Sequence, residues 1–121
     1  MGYRSDVAYV IKFADIKTRD TFVALMMAKN DKHITEALDE VRHDWTEDPI
    51  ITYRCCDVKW YSEFDDVKAH HALMGDAVEL YDARYRFLAL GEDGREDYSE
   101  EDNVGDLYNY VSTVHELHTS F

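Results

Sequence analysis

The segment Gly91–Asp106 of this chain, GEDGREDYSEEDNVGD, holds its densest group of residues with evident chemistry. Eight of its sixteen residues are Asp or Glu, and Arg95 is its one basic residue. Carboxylates at this density could bind calcium, imitate the phosphates of a nucleic acid, or keep an exposed hairpin soluble. Neighbouring motifs help to rank these three interpretations.

Calcium is the first chemistry to consider. A loop of the EF-hand type needs oxygen ligands at alternating positions around a central glycine, and it ends on a glutamate. No register that starts at Glu92, Asp93, Glu96 or Asp97 provides this order. The sequence therefore predicts no EF-hand calcium loop in the acidic segment.

Histidine pairs raise the question of zinc. His70 and His71 are adjacent in a predicted helix and point about 100° apart, so they do not easily share one ion. His115 and His118 could share an ion only if the C-terminal segment is helical. We expect no metal and no other cofactor. His71 is predicted to lie in the core and His70 to pair with Asp66 on the surface.

A metal-dependent nuclease is the most specific enzymatic alternative. Such enzymes place an acidic residue ahead of an (Asp/Glu)-x-Lys element on a strand. Asp57 and Lys59 match the second element, with Val58 between them. The upstream acidic residue could be Asp44, Glu47 or Asp48. The carboxylates would hold magnesium, and the lysine would position the attacking water or the phosphate. No nucleophilic triad and no glycine-rich phosphate loop is present.

Phosphate imitation requires carboxylates that are fixed by a fold. Asp93-Gly94 is a strong signal for a tight turn, which predicts that the acidic segment forms a hairpin. Edge strands also carry charge merely to prevent aggregation, and that interpretation stays open. If the hairpin binds a partner, the expected contact residues are Glu92, Asp93, Glu96, Asp97, Glu100, Glu101 and Asp102.

Overall composition restricts the partner. The chain has 121 residues, 45 % of them apolar, and a formal charge of −13. These values suit one globular domain over residues 1–121. Such negative charge disfavours direct binding to nucleic acids or anionic membranes and favours basic partners. Cys55 and Cys56 are adjacent and cannot link distant segments, which together with the lack of a signal-like N-terminus predicts a cytoplasmic setting.

Strands and helices alternate along the chain. Val7–Phe13 has the β-branched and aromatic content of a strand. Thr18 is the predicted N-cap of a first helix that stops near Asn30, and Asp31 caps a second. Ile50–Tyr61 reads as a long strand whose hydrophobic pattern changes phase at Cys55-Cys56. Either a β-bulge there or a strand covered on both faces would explain the change.

The third helix has the clearest periodicity. Ser62 and Asp65 form a predicted capping box at its start. Apolar residues then recur three and four apart along one side of the helix, which indicates the side that faces the core. This predicted seam consists of Phe64, Val67, His71, Met74, Val78 and Tyr81.

The remaining segments complete an α+β fold. Tyr85–Leu90 is a predicted strand, and Arg95–Glu101 is expected to return antiparallel to it. The tail from Leu107 is read as a strand, with a helix as the alternative. We expect an antiparallel or mixed sheet of about four to five strands, with two to three helices packed on one face.

Three blocks of the sequence resemble a family of small acidic proteins of tailed bacteriophages. They are the opening MGYRSDV, the segment DVKWY at Asp57–Tyr61, and the segment YRFLALGED at Tyr85–Asp93. The resemblance implies a phage protein that acts in the bacterial cytoplasm. Small acidic phage proteins are often inhibitors of host enzymes or defence systems, and some imitate DNA.

Three functions are thus expected from different classes. The first is a non-enzymatic phage protein that binds and inhibits a basic or nucleic-acid-binding protein of the host. The second is the nuclease or hydrolase that uses Asp57 and Lys59. The third is a structural or dimerisation module with exposed aromatic contacts at Trp45, Trp60 and Tyr108.

Overall fold

The computed structural model describes residues 5–42, 49–58, 64–91, 94–102, 111–113 and 117–119. Three helices and six strands lie within these ranges. In chain order they are β1 (Ser5–Lys12), α1 (Ile16–Ala28), α2 (Lys32–Glu40), β2 (Ile50–Val58), α3 (Asp65–Tyr81), β3 (Arg84–Gly91), β4 (Gly94–Asp102), β5 (Val111–Thr113) and β6 (Leu117–Thr119).

Four of the described strands form one antiparallel sheet, in which β1 and β3 are the inner strands, and β5 and β6 form a second sheet of two strands. The order is β2-β1-β3-β4, and every neighbouring pair is antiparallel. With its three helices and antiparallel sheet, the chain confirms the predicted α+β class. Within the described residues, no helix has the length and apolar character needed to cross a membrane.

Strand β1 is buried on both of its faces. Val7, Tyr9 and Ile11 belong to the core cluster that the helices cover. Ala8 and Val10 lie on the opposite face and are also fully buried. Both edges of β1 are occupied by β2 and β3, and the separate β5–β6 pair also contacts β1.

A β-bulge interrupts the pairing of β1 with β2. Val7 lies opposite Cys55 and Ser5 lies opposite Val58. Two residues of β2, Cys56 and Asp57, therefore lie opposite the single residue Asp6. This is the predicted bulge, and the extra residue accounts for the change of phase in the hydrophobic pattern of β2. The bulge includes Asp57, the acidic residue of the nuclease hypothesis.

The start of α2 confirms the sequence pattern, and the start of α1 does not. The Asp31 side chain accepts hydrogen bonds from the amides of His33 and Ile34, as expected for the cap of α2. Helix α1 is capped by Asp15, whose carboxylate accepts from the Thr18 amide at 2.7 Å, so the prediction of Thr18 as the cap was wrong. A cap bonds to an amide two or three residues ahead, and Thr18 supplies that amide.

Helix α3 departs from its predicted boundary and seam. It begins at Asp65 with Phe64 at the cap position and no side-chain cap bond, so the helix start differs from the predicted one; Ser62 of the predicted capping box lies outside the described residues. The seam prediction was right for Val67 and Met74 but wrong for His71, because His70 is the buried histidine. The buried residues of α3 are Val67, Ala69, His70, Leu73, Met74 and Ala77.

Candidate functional site

The acidic segment forms the last strand of the sheet. Strand β4 pairs with β3 along one edge, and no strand in the described part of the chain pairs with its other edge. Five of the seven predicted contact residues belong to β4; Glu92 and Asp93 lie outside the described residues. Those in β4 are Glu96, Asp97, Glu100, Glu101 and Asp102.

The register of β4 divides its acidic positions between the two faces of the sheet. Glu101 is the partner of Phe87, which belongs to the helix-covered core. Glu100 is the partner of Leu88, which is buried but lies outside that core cluster. Residues directly opposite in a ladder share a face. Acidic positions thus occur on both faces at one edge, so a partner that contacts both sets has to approach the edge itself.

The proposed nuclease residues are only partly within the described chain. Asp57 lies in the bulge of β2. Lys59 and the three upstream candidates Asp44, Glu47 and Asp48 lie outside the described residues. Among the residues that are described, no group of three His, Cys, Asp or Glu side chains could hold a metal ion.

A buried polar cluster lies between the sheet and two helices. The Tyr9 hydroxyl of β1 is 2.7 Å from Nδ1 of His70 in α3. On the other side of the ring, Nε2 lies 3.5 Å from Oε1 of Glu40, the last residue of α2. Tyr9 is 0 % exposed and His70 is 1 % exposed, whereas the Glu40 side chain is 49 % exposed. We call these three residues the His70 cluster; it connects the centre of the sheet to the protein surface.

Aromatic packing encloses the histidine. The Tyr53 ring of β2 lies 4.3 Å from the His70 ring and stacks on Tyr9 at 5.3 Å between centroids. Burial lowers the pKa of His70 from its ordinary 6.5 to about 4. Burial likewise raises the pKa of Tyr9 and of Tyr53 well above the usual value. These shifts favour the neutral form of all three rings at pH 7.

Glu40 also belongs to a group of like charges on the surface. Partial burial raises the pKa of its carboxyl group, and the nearby carboxylates of Asp66 and Glu36 raise it further. The fold thus holds three acidic side chains of α2 and α3 close enough to repel one another. Negative charge is concentrated in at least two places on the protein, this group and β4.

The His70 cluster was not predicted from the sequence because its members are far apart in the chain. Tyr9 and His70 are separated by 61 positions, and neither carries a local motif. One signal was available: Val67, His70, Met74 and Ala77 are spaced three, four and three apart, which is an equally regular helical stripe. Choosing this stripe would have placed His70 in the core.

The function has to be inferred from this geometry and from the sequence. Comparisons of the chain with models of protein families, with curated proteins and with solved structures found no match.

Proposed function

We propose that the protein is a non-enzymatic phage product that binds and inhibits a host protein in the bacterial cytoplasm. The partner is basic or binds nucleic acid, and the contact surface is the acidic hairpin that includes β4. The observation that carries this proposal is the position of β4. Five of the nine residues of β4 are acidic. This strand is the last of a sheet whose other three strands are largely buried.

Net charge supports a basic partner. With a formal charge of −13, the protein repels nucleic acids and attracts the positively charged grooves that bind them. The acidic group at Glu36, Glu40 and Asp66 adds to the same field from the helical side. Electrostatic attraction of this kind acts mainly on the rate of association.

Strand geometry supports imitation of a nucleic acid backbone. A strand advances ~3.4 Å per residue, which equals the ~3.4 Å axial spacing of charges along one strand of DNA. Glu100, Glu101 and Asp102 are consecutive in β4. Pairing with β3 fixes the backbone that carries them. Because successive residues of a strand alternate between faces, positions 100 and 102 share one face at ~6.8 Å and position 101 lies on the other, so the three charges match the axial charge density of one DNA strand only when both faces are counted.

The first experiment identifies the partner and maps the contact. A tagged protein is used to capture host proteins from lysate, and mass spectrometry identifies them. Association with the purified partner is then measured for wild type and for a variant with Glu100→Gln, Glu101→Gln and Asp102→Asn. We expect an association rate at least about 10-fold slower, with little change in dissociation.

A matched variant separates location from net charge. Asp39→Asn, Glu79→Gln and Asp82→Asn remove the same three charges from exposed positions on or next to the helices. This variant should associate at close to the wild-type rate.

Nucleic acid should also compete with the protein for binding to the partner. Equal rates for the two folded variants, or unchanged binding in both, would contradict the hairpin as the contact surface.

The nuclease alternative has one structural feature in its favour. Asp57 lies in a β-bulge, and bulges often occur beside active sites, where they redirect a side chain. This hypothesis predicts magnesium- or manganese-dependent cleavage of plasmid DNA or RNA that Asp57→Ala and Lys59→Ala both abolish. Intact substrates across both metals would remove it.

A further inference from the structure

Helix α1 has an exposed face without charge. The outward positions from the middle of the helix to its end are Thr21, Ala24, Leu25, Met27 and Ala28, which we call the α1 face. Leu25 is 39 % exposed and Met27 is 54 % exposed. Charged residues make up 32 % of the chain, so an uncharged surface of this length contrasts with the rest of the protein.

The opposite side of the same helix is buried. Phe22, Val23 and Met26 belong to the core cluster. Apolar residues therefore occur on both sides of α1, whereas a helix at a protein surface usually has one apolar side and one charged side. A helix that is apolar all round is typical of a position that is covered on every side. The composition of α1 thus fits a helix whose outer side is covered by another molecule.

We propose that the α1 face binds the α1 face of a second copy of the chain, with the two helices antiparallel about a twofold axis at Ala24. Contacts across a twofold axis are reciprocal, so residues equally far before and after Ala24 meet. Thr21 then meets Met27 of the second copy, and Ala24 meets its own equivalent. This dimer is independent of the acidic hairpin and of a host partner.

Charges beyond the two ends of the α1 face favour the antiparallel arrangement. Asp15 and Lys17 precede the face, and both are exposed. Asp31 and Lys32 follow it and are also exposed. Antiparallel helices bring Lys17 near Asp31 of the second copy, and they bring Asp15 near Lys32 of the second copy. Parallel helices would place each of these charges beside its own equivalent, which has the same sign.

Two other charged residues near the face already have partners within each copy. An oxygen of the Asp20 carboxylate lies 3.0 Å from Nη2 of Arg19. Lys29 Nζ lies 3.0 Å from a carboxylate oxygen of Asp76 in α3. These two pairs add no net charge to the ends of the face, so they do not oppose the antiparallel arrangement.

Net charge also favours this location for the contact. Two copies with a formal charge of −13 each repel one another. Residues 15–32 hold four basic and three acidic side chains, so this segment has a net charge of +1 and the rest of the chain has −14. Two copies can therefore meet at α1 without adding to the repulsion between them.

The face is small, so we expect a weak dimer. Helix α1 has 13 residues, which span ~20 Å at ~1.5 Å per residue. With a face ~10 Å wide, two copies cover on the order of 400 Å² in total, well below the ~1,200 Å² of a stable interface. A dissociation constant of roughly 0.01 to 1 mM is therefore expected.

Sedimentation equilibrium of the full chain tests the dimer. Over about 10 μM to about 1 mM, we expect the average mass to rise from the monomer mass towards twice that value. The monomer mass is 14.2 kDa. A chain that stays monomeric throughout this range would overturn the proposal and leave the α1 face to a partner of another kind.

A pair of variants tests the location of the contact. Ala24→Glu places two negative charges together at the twofold axis and should weaken dimerisation by at least about 10-fold. Gly75→Glu adds the same charge at an exposed position of α3, where a Cβ meets no atom within 4 Å, and should dimerise like wild type. Equal weakening by the two variants would contradict the α1 face as the contact.

NMR maps the contact in the wild-type protein, so the test does not depend on how a variant folds. On dilution, amide chemical shifts should change in α1 and stay constant in β4. Shift changes confined to elements other than α1 would overturn the proposal.

Salt and the hairpin variant separate this dimer from the hairpin contact. Sodium chloride should strengthen the dimer, because it screens the repulsion between two acidic copies while the α1 face itself is uncharged. The variant with Glu100→Gln, Glu101→Gln and Asp102→Asn should dimerise at least as tightly as wild type. Dimerisation that weakens with salt, or that this variant abolishes, would show that the copies associate through the acidic strand and would overturn the proposal.

Discussion

The hydroxyl of Tyr9 provides a single-atom test of the buried cluster. Tyr9→Phe keeps the ring and its stacking on Tyr53 but leaves Nδ1 of His70 without its donor. Loss of a buried partner of this kind costs about 1–3 kcal/mol. Urea denaturation at pH 7 measures the change.

A tyrosine of α3 supplies the control. Tyr81 is half-buried, and its ring packs edge-on against Phe22, a contact that Tyr81→Phe keeps. We expect this variant to change stability by less than about 0.5 kcal/mol. If both tyrosine variants lose the same stability, the cost does not come from the bond to His70.

Single residues also show where sequence patterns reach their limit. The stripe through His71 and the stripe through His70 both have the three-and-four spacing of a buried helix face. The two stripes share Val67 and Met74 and differ in which histidine they include; His70 and His71 point about 100° apart, and local propensity does not choose between them. Tyr9 and Glu40, which come from other elements, supply polar partners for His70 in the core. His71 instead packs against Phe87 at 5.2 Å.

Glycine in the middle of α3 offers a stabilising substitution. Gly75 is exposed, and a Cβ built on it meets no atom within 4 Å. Alanine there would restrict the unfolded chain without a clash, so Gly75→Ala should raise stability by about 0.5–1 kcal/mol. Ala72→Gly in the same helix should lower stability. A loss for Gly75→Ala in urea denaturation would mean that α3 is not a regular helix at this position.

The buried side of α3 can be tested against its exposed side. Met74 is 2 % exposed within the core cluster, and Met74→Ala should cost about 2–5 kcal/mol. Leu80 is 52 % exposed, so Leu80→Ala should change stability by less than about 1 kcal/mol. Similar losses in thermal or urea unfolding would contradict the orientation of the helix.

Whole elements were predicted better than their ends. The change of hydrophobic phase in β2 predicted either a bulge or a strand covered on both faces, and the register shows the bulge; the signal is strong because a one-residue slip moves a strand's side chains to the other face. The cap at Asp31 was predicted correctly because the aspartate side chain can accept a hydrogen bond from an amide of the first helical turn. The cap at Asp15 was missed because Asp15 and Thr18 are both favourable cap residues, and the backbone geometry decides between them.

At the scale of the molecule, the fold separates a buried centre from a charged periphery. Strand β1 is covered on both faces, and the acidic strand β4 lies at the end of the sheet. The order of the strands, including the position of β1 between β2 and β3, could not be derived from the sequence. It depends on pairings between segments that are more than forty residues apart, such as Val10 with Thr52. The acidic hairpin could be identified as a candidate surface, and its polar residues indicated an edge strand or an exposed ribbon, which agrees with the position of β4 at the end of the described sheet.

Sodium chloride should act in opposite directions on the free protein and on its complex. The formal charge of −13 produces self-repulsion that opposes the compact state. Raising salt from about 0.02 M to about 0.5 M shortens the screening length from roughly 20 Å to roughly 4 Å, so thermal unfolding of the free protein should move to higher temperature. Affinity for a basic partner should fall over the same range, and it should fall less for the variant at Glu100, Glu101 and Asp102. Sucrose is the control because it stabilises folded proteins without screening charge. It should raise the unfolding temperature of the free protein and leave the electrostatic attraction in the complex unchanged. A complex whose affinity is insensitive to salt, measured beside a free protein that salt stabilises, would show that the negative charge serves solubility and not recognition.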